Sequence, residues 1–190
     1  MVRNTYFQSI EAFKDKQVIK VLTGIRRCGK SVLMEQFMQS LLERGVSERQ
    51  ITYIRLDDLD NELLLEYHNL YAFIKSALLE DKMNYVFIDE VQLCKDFQKP
   101  VETLFNCKNV DLYLTGSNAD LLSGELATLL SGRYVTIDML PFSFCEYLEC
   151  IKENNFPAQT TEENYYDYVK FGSMPFTVQL KKNTESVYQY

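Results

Sequence analysis

Residues 22–33 read LTGIRRCGKSVL, and they restrict the fold more than any other stretch. Gly24, Gly29, Lys30 and Ser31 fit the pattern G-x-x-x-x-G-K-[ST]. The glycines let the backbone curl until successive N–H groups point inward at phosphate oxygens. The helix that follows presents its N-terminus to the same anion. Lys30 adds a full charge and Ser31 a hydroxyl suited to Mg²⁺. The context agrees. QVIKVLT (17–23) is an apolar, β-branched run that reads as a buried strand. Residues 30–43 carry Leu33, Phe37, Met38, Leu41 and Leu42 at helical spacing, and Gly45 sits where a helix stops. Gly24, Ile25, Arg26, Arg27, Cys28, Gly29, Lys30, Ser31 and Val32 are therefore the candidate phosphate-binding residues.

The rest of the chain alternates. Strands are expected at 51–56, 85–89, 110–116 and 133–139. Helices are expected at 67–80, at 95–106 with Pro100 near the first turn, and at 119–132 with a glycine interruption. Strands alternating with helices predict an α/β fold, a mainly parallel five-stranded sheet with helices on both faces. After Pro141 the character changes. Residues 142–155 and 161–172 are helical in pattern and rich in aromatics. The expected boundary lies near residue 140, giving an α/β domain over 1–140 and a small helical appendage over 141–190. There is no internal repeat and no low-complexity segment. The sequence breaks off at TESVYQY, mid-pattern and without a cap, so it reads as the front part of a longer protein.

Composition excludes several alternatives. The chain has 190 residues, with 46% hydrophobic and 25% charged, which suits a globular domain with a sizeable core. No run approaches the length of a membrane helix, and the first residues lack the apolar core of a secretory signal. No membrane partner and a cytoplasmic location are the expectations. The net charge is −7, which gives no support to nucleic acid as a partner. The five cysteines form no C-x-x-C pair, so neither a disulfide framework nor a zinc site is expected. His68 is the lone histidine and reads as a surface or packed residue.

A phosphate cradle alone binds; hydrolysis needs a held metal and an activated water. YVFIDE (85–90) offers both at the carboxyl end of a strand. Asp89 would hold Mg²⁺ through its water shell, and Glu90 would orient and polarise the attacking water. At the end of the next strand, LYLTGSN supplies a polar residue to touch the γ-phosphate or the water. Asn118 is the first candidate, Ser117 the second and Thr115 the third; turn capping is the alternative. An extra strand between the phosphate-loop strand and the acidic strand, with a Glu beside the Asp, is the pattern of ATPase motors and switches.

Taken together, TGIRRCGKS, FIDEVQ, TGSNADLL, SGRYVTIDMLPFSFCEYL and FGSMPF resemble a family of prokaryotic AAA+-type ATPases whose second half is a domain of unknown function. The resemblance covers most of residues 17–176. It implies a P-loop NTPase three-layer fold of AAA+ type, with a helical lid at roughly 141–180 and a C-terminal domain beyond this chain. It matches Lys30 and Ser31 to Walker A, Asp89 and Glu90 to Walker B, and Asn118 to the sensor. Arg133 falls where such proteins place an arginine finger, which would reach a neighbouring subunit of a homo-oligomer; a helix-end cation is the other reading. ATP over GTP rests on this resemblance.

The expected activity is Mg²⁺-dependent ATP binding and hydrolysis, as a motor or switch for an unidentified client protein. Two alternatives stay open: a nucleotide-gated interaction module with negligible hydrolysis, and a P-loop kinase. Cys28 lies beside Arg26 and Arg27 near a helix N-terminus, where a thiol pKa falls and oxidation becomes a candidate regulation. The blander reading is a small side chain at a variable position. Asp57, Asp58 and Asp60 read as caps rather than a metal cluster. Tyr165, Tyr166 and Tyr168 are expected to pack the lid or face the absent domain. Tyr6, Phe7 and Phe13 belong either to an adenine pocket or to the core.

Overall fold

The computed structural model describes residues 2–116, 132–154 and 156–180. Five strands form one sheet: β1 (Ile19–Gly24), β2 (Ile51–Arg55), β3 (Asn84–Asp89), β4 (Val110–Thr115) and β5 (Tyr134–Met139). The order across it is β2-β3-β4-β1-β5, and every pairing is parallel. The strand that separates the acidic strand β3 from β1 in space is β4. β2, which separates them in sequence, forms the edge.

Alternation along each strand builds two cores. Ile19 and Val21 of β1, Val86 and Ile88 of β3, and Leu112 and Leu114 of β4 pack on one face against α3 (Tyr67–Ala77) and α4 (Gln98–Phe105). Leu22, Tyr85, Phe87 and Tyr113 pack on the other face against α1 (Asn4–Glu11) and α2 (Lys30–Glu43). Phe37 of α2 sits at its centre, 5.3 Å from the Tyr113 ring. The sequence pattern did not separate α1 as a helix, although Tyr6, Phe7 and Ile10 are spaced to face the sheet. Tyr6 and Phe7 pack in this core. The expected helix at 119–132 and the candidates Ser117 and Asn118 lie outside the described residues.

Beyond β5 come α5 (Phe144–Glu153), α6 (Thr161–Phe171) and α7 (Pro175–Leu180). Ser143 with Glu146, and Thr160 with Glu163, form capping boxes that start α5 and α6. Phe142, Tyr147, Cys150, Ile151 and Val178 make a small core of their own. Tyr168 packs there, with its ring 5.3 Å from Tyr147 and its hydroxyl donating to the Phe142 carbonyl. Tyr165 and Tyr166 are exposed. Before α3, a 3₁₀ turn spans Leu59–Leu65; the Asp58 side chain caps it by accepting from the Asp60 N–H.

One feature breaks the apolar rule of the α2 face. Lys20 and Asp111 form an ion pair that is 0% and 2% exposed. Asp111 also accepts from the Tyr113 hydroxyl and the Asp15 N–H. Burial lowers the Lys20 pKa and raises that of Asp111, and their mutual attraction opposes both shifts. Such a pair is worth little against an apolar replacement, but a single partner left alone is costly. Lys20→Met is expected to destabilise the chain by about 3–5 kcal/mol. Urea unfolding should show Lys20→Met/Asp111→Leu clearly more stable than Lys20→Met; an equal or larger loss in the double variant would contradict this account.

Candidate nucleotide-binding site

The carboxyl ends of β1, β3, β4 and β5 place Gly24, Asp89, Thr115 and Met139 along one edge of the sheet. Gly24 ends β1 at φ +138°, and a Cβ there would stand 2.2 Å from the Met139 carbonyl oxygen. No other residue fits that close approach. Thr23 donates to Asp138, which ties β1 to β5 just before the turn. The loop then runs through Arg27, at φ +68°, to Gly29, which takes a left-handed conformation at the start of α2.

Lys30 is 5% exposed. Its ammonium is folded back on its own loop, donating to the carbonyls of Gly24 at 3.0 Å and Ile25 at 3.2 Å. A cavity of about 550 Å³ opens beside it. Arg27, Gly29, Lys30, Ser31, Val32 and Glu90 line it, with Pro175 and Phe176 of α7 opposite. Residues more than fifty positions apart in sequence therefore share one space, and α7 lines its far side.

Asp89 is buried at 1% exposure. Its two carboxylate oxygens accept from the hydroxyls of Thr115 and Tyr53, the latter at 3.3 Å. Burial, and next the Asp89 carboxylate, push the Tyr53 pKa upward, so that hydroxyl remains a donor. Glu90 follows at φ +55°, a strained conformation for a non-glycine residue. Its N–H donates to the Thr115 Oγ1 at 3.0 Å, and its carboxylate accepts from the Gln92 amide. Thr115, ranked last of three in the sequence, is the β4 residue in contact with both acidic positions. Its place one strand over, in register with β1 and β3, carries no local sequence signal.

One expectation changes, that of an activated thiol, and two placements add to the picture. Cys28 is fully buried, and burial raises its thiol pKa despite the cations of Lys30 and Arg3. The cations near it in sequence do not overcome desolvation, so the activated-thiol reading does not hold. Cys28 instead lines a second cavity, of about 210 Å³, together with Arg3, Leu33, Gln36, Phe142 and Asn154. Arg3 is the aromatic-flanking residue that reaches the loop, a role the sequence did not reveal. Arg133 stands at the amino-terminal end of β5, next to Ile19, at the opposite end of the sheet from Gly24. It pairs with Glu102 at 2.9 Å and is half-exposed. It is therefore no part of the cavity of its own chain.

A strand–glycine loop–helix unit and an acidic strand end, on a parallel sheet of this order, define a nucleotide-binding module of the P-loop class. A family model described as an AAA domain matches residues 16–148, and the chain belongs to that family. An uncharacterized protein of Haemophilus influenzae is 38% identical over 177 residues, covering 93% of this chain and 44% of the relative. The uncharacterized protein MJ1544 of Methanocaldococcus jannaschii is 31% identical over 168 residues, covering 83% of this chain and 35% of the relative. The chain thus spans less than half the length of these curated relatives. Among solved structures, Saccharomyces cerevisiae Hsp104 in a casein complex aligns with TM-score 0.61 at 11% identity, over 94% of this chain and 36% of that one. Caenorhabditis elegans PCH-2 aligns with TM-score 0.51 at 18% identity, over 80% of this chain and 43% of that one. At such identities the likeness is one of fold, and it is the AAA+ fold. Among the described residues no helix is long and apolar enough to cross a membrane.

Proposed function

We propose that this chain binds Mg·ATP and hydrolyses it as the motor or switch module of a longer cytoplasmic protein. The observation that carries the reading is the shared cavity: Lys30 and Ser31 on one wall, Glu90 on another. Loop N–H groups and the Lys30 ammonium would take the β- and γ-phosphates, the ammonium leaving the Gly24 and Ile25 carbonyls to do so. Ile25, Arg26 and Val32 complete the loop, with Arg26 and Arg27 supplying further positive charge.

The residues suit a divalent cation. Ser31 offers a hydroxyl in the cavity, and Asp89 is a buried carboxylate with its oxygens already set by two hydroxyl donors, which favours holding the ion through water. When bound, the ion neutralises charge on the phosphates. Glu90 orients the attacking water and accepts its proton as the water oxygen bonds to the γ-phosphorus; the bond to the bridging oxygen breaks and ADP leaves. Asn118 is proposed as the sensor beside the γ-phosphate. Arg133, released from Glu102, is proposed to serve the site of a neighbouring copy in a homo-oligomer. Residues 1–140 form the nucleotide unit and 141–190 the lid with the start of a link onward. The further length of the relatives accords with a C-terminal domain beyond this chain, which would carry the client-binding role.

One observation favours a second reading. The Glu90 carboxylate is engaged by the Gln92 amide, which would slow activation of a water and suits a nucleotide-gated interaction module with little turnover. Mg·ATP titration with phosphate release on this chain separates the two. Binding with release to water, at a specific activity that rises with protein concentration, is expected for an ATPase completed by Arg133 in trans. Binding without release would favour the gated module, transfer to an acceptor the kinase. A folded chain that binds no ATP would remove the basis of all three.

A further inference from the structure

Arg3 uses every donor it has. Its guanidinium carries five N–H groups, and all five are matched although the residue is only 6% exposed. Nη1 donates to the Cys28 carbonyl at 3.2 Å and to the Leu140 carbonyl at 2.7 Å. Nη2 donates to the Pro141 carbonyl at 3.3 Å and to Glu146 Oε2 at 3.0 Å, and Nε donates to Glu146 Oε1 at 2.7 Å. The plane of the group also lies against Tyr6 and Phe142, 4.4 Å and 5.3 Å from their ring centres.

These partners belong to three separate pieces of the chain. Cys28 is in the phosphate loop. Leu140 and Pro141 are the link that leaves β5. Glu146 is in the first turn of α5, where it also accepts from the Ser143 N–H at 2.8 Å and so sets the start of that helix. A bidentate Arg–carboxylate pair is fixed in angle as well as distance. A guanidinium so held joins α5 to the carbonyl of Cys28, one residue before Gly29. Arg3 also stands in the wall of the smaller cavity, which shares Gly29, Val32 and Pro175 with the larger one.

We propose that Arg3 is a positioning residue that couples the shape of the phosphate loop to the seating of α5, so that nucleotide in the loop and closure of the 141–180 helices favour each other. Coupling of this kind is reciprocal: whatever the seated helices add to nucleotide affinity, nucleotide returns to the helices. The affinity arm rests on the ATP-binding reading above; the coupling itself does not.

Hydrogen exchange on the nucleotide-free chain tests the coupling alone. Arg3→Lys keeps the charge but loses the fork. It is expected to lose protection in residues 25–31 and 143–150 together, with β3 and β4 unchanged. Glu146→Gln retains the cap on Ser143 and should show the same paired loss in weaker form. With ATP added, the wild-type chain should gain protection at 143–150, and Arg3→Lys should lose that gain while binding ATP about tenfold more weakly, within the usual range of coupling between sites. A purely structural Arg3 would lower the melting temperature yet leave the ATP-induced gain at 143–150 in place. That result, or a loss of protection confined to α5 with residues 25–31 unchanged, would overturn the proposal. Failure of the wild-type chain to bind ATP would count against the nucleotide reading only, since the exchange comparison without nucleotide would still decide the coupling.

Discussion

Lys30→Ala is expected to weaken ATP binding by one to two orders of magnitude or more while leaving the fold intact. The ammonium is the one formal charge that the phosphate loop itself holds inside the cavity mouth in a buried position. A hydrogen bond from a charged donor is worth about 1.5–3 kcal/mol, which is roughly 10- to 150-fold in affinity, and Lys30 can place more than one on the phosphates. The substitution also frees the Gly24 and Ile25 carbonyls, which the ammonium now caps. Ile25 is exposed and its carbonyl can turn to water, so the effect on stability should be small beside the effect on binding. Titration with a fluorescent ATP analogue, alongside a thermal melt, separates the two. Unchanged affinity in a folded Lys30→Ala chain would show that the loop is not a phosphate cradle.

Glu90→Gln should behave in the opposite way: binding kept, turnover lost. The amide is nearly the same shape as the carboxylate, so the backbone at φ +55° and the N–H bond to Thr115 have no reason to shift. What disappears is the capacity to take a proton from water. Loss of a positioned base slows a reaction by about 10²–10⁴-fold. The change should fall on kcat with KM nearly constant, the mark of an interaction made in the transition state. Single-turnover phosphate release from pre-bound ATP measures it directly. Wild-type turnover in Glu90→Gln would assign the base elsewhere.

Much of the architecture was legible because local rules sufficed for it. The loop at 24–31 announces itself by spacing, and it sits between a strand and a helix that periodicity identifies. The run YVFIDE carries its own strand and its own acidic end. All five strands and the helices α2 to α6 lie close to where the pattern put them. What stayed hidden acts across sequence distance. Arg3 meets Glu146 from 143 positions away. Thr115 contacts Asp89 only because β4 inserts beside β3. Pro175 and Phe176 reach the cavity only because the chain after β5 folds back and sets α7 beside it. At Cys28 the two readings part: its sequence neighbours argue for a low pKa, but its side chain faces the core, and desolvation favours the plain packing role.

The buried ion pair on β1 and β4 bears on how the sheet finds its alignment. β1, β3 and β4 are buried along their whole lengths, so each offers a run of apolar side chains to either face. A slip of one residue would exchange the faces, and the two cores would reject it. A slip of two residues keeps every side chain on its own face, and hydrophobic pattern alone barely distinguishes it from the native alignment. Such a slip carries Lys20 about two residue rises, roughly 6–7 Å, away from Asp111 and leaves each buried charge without its opposite. A pair that adds little to the stability of the finished protein thus sets the penalty on its nearest misaligned competitor, and so guards the alignment that puts Gly24 and Asp89 at the same edge.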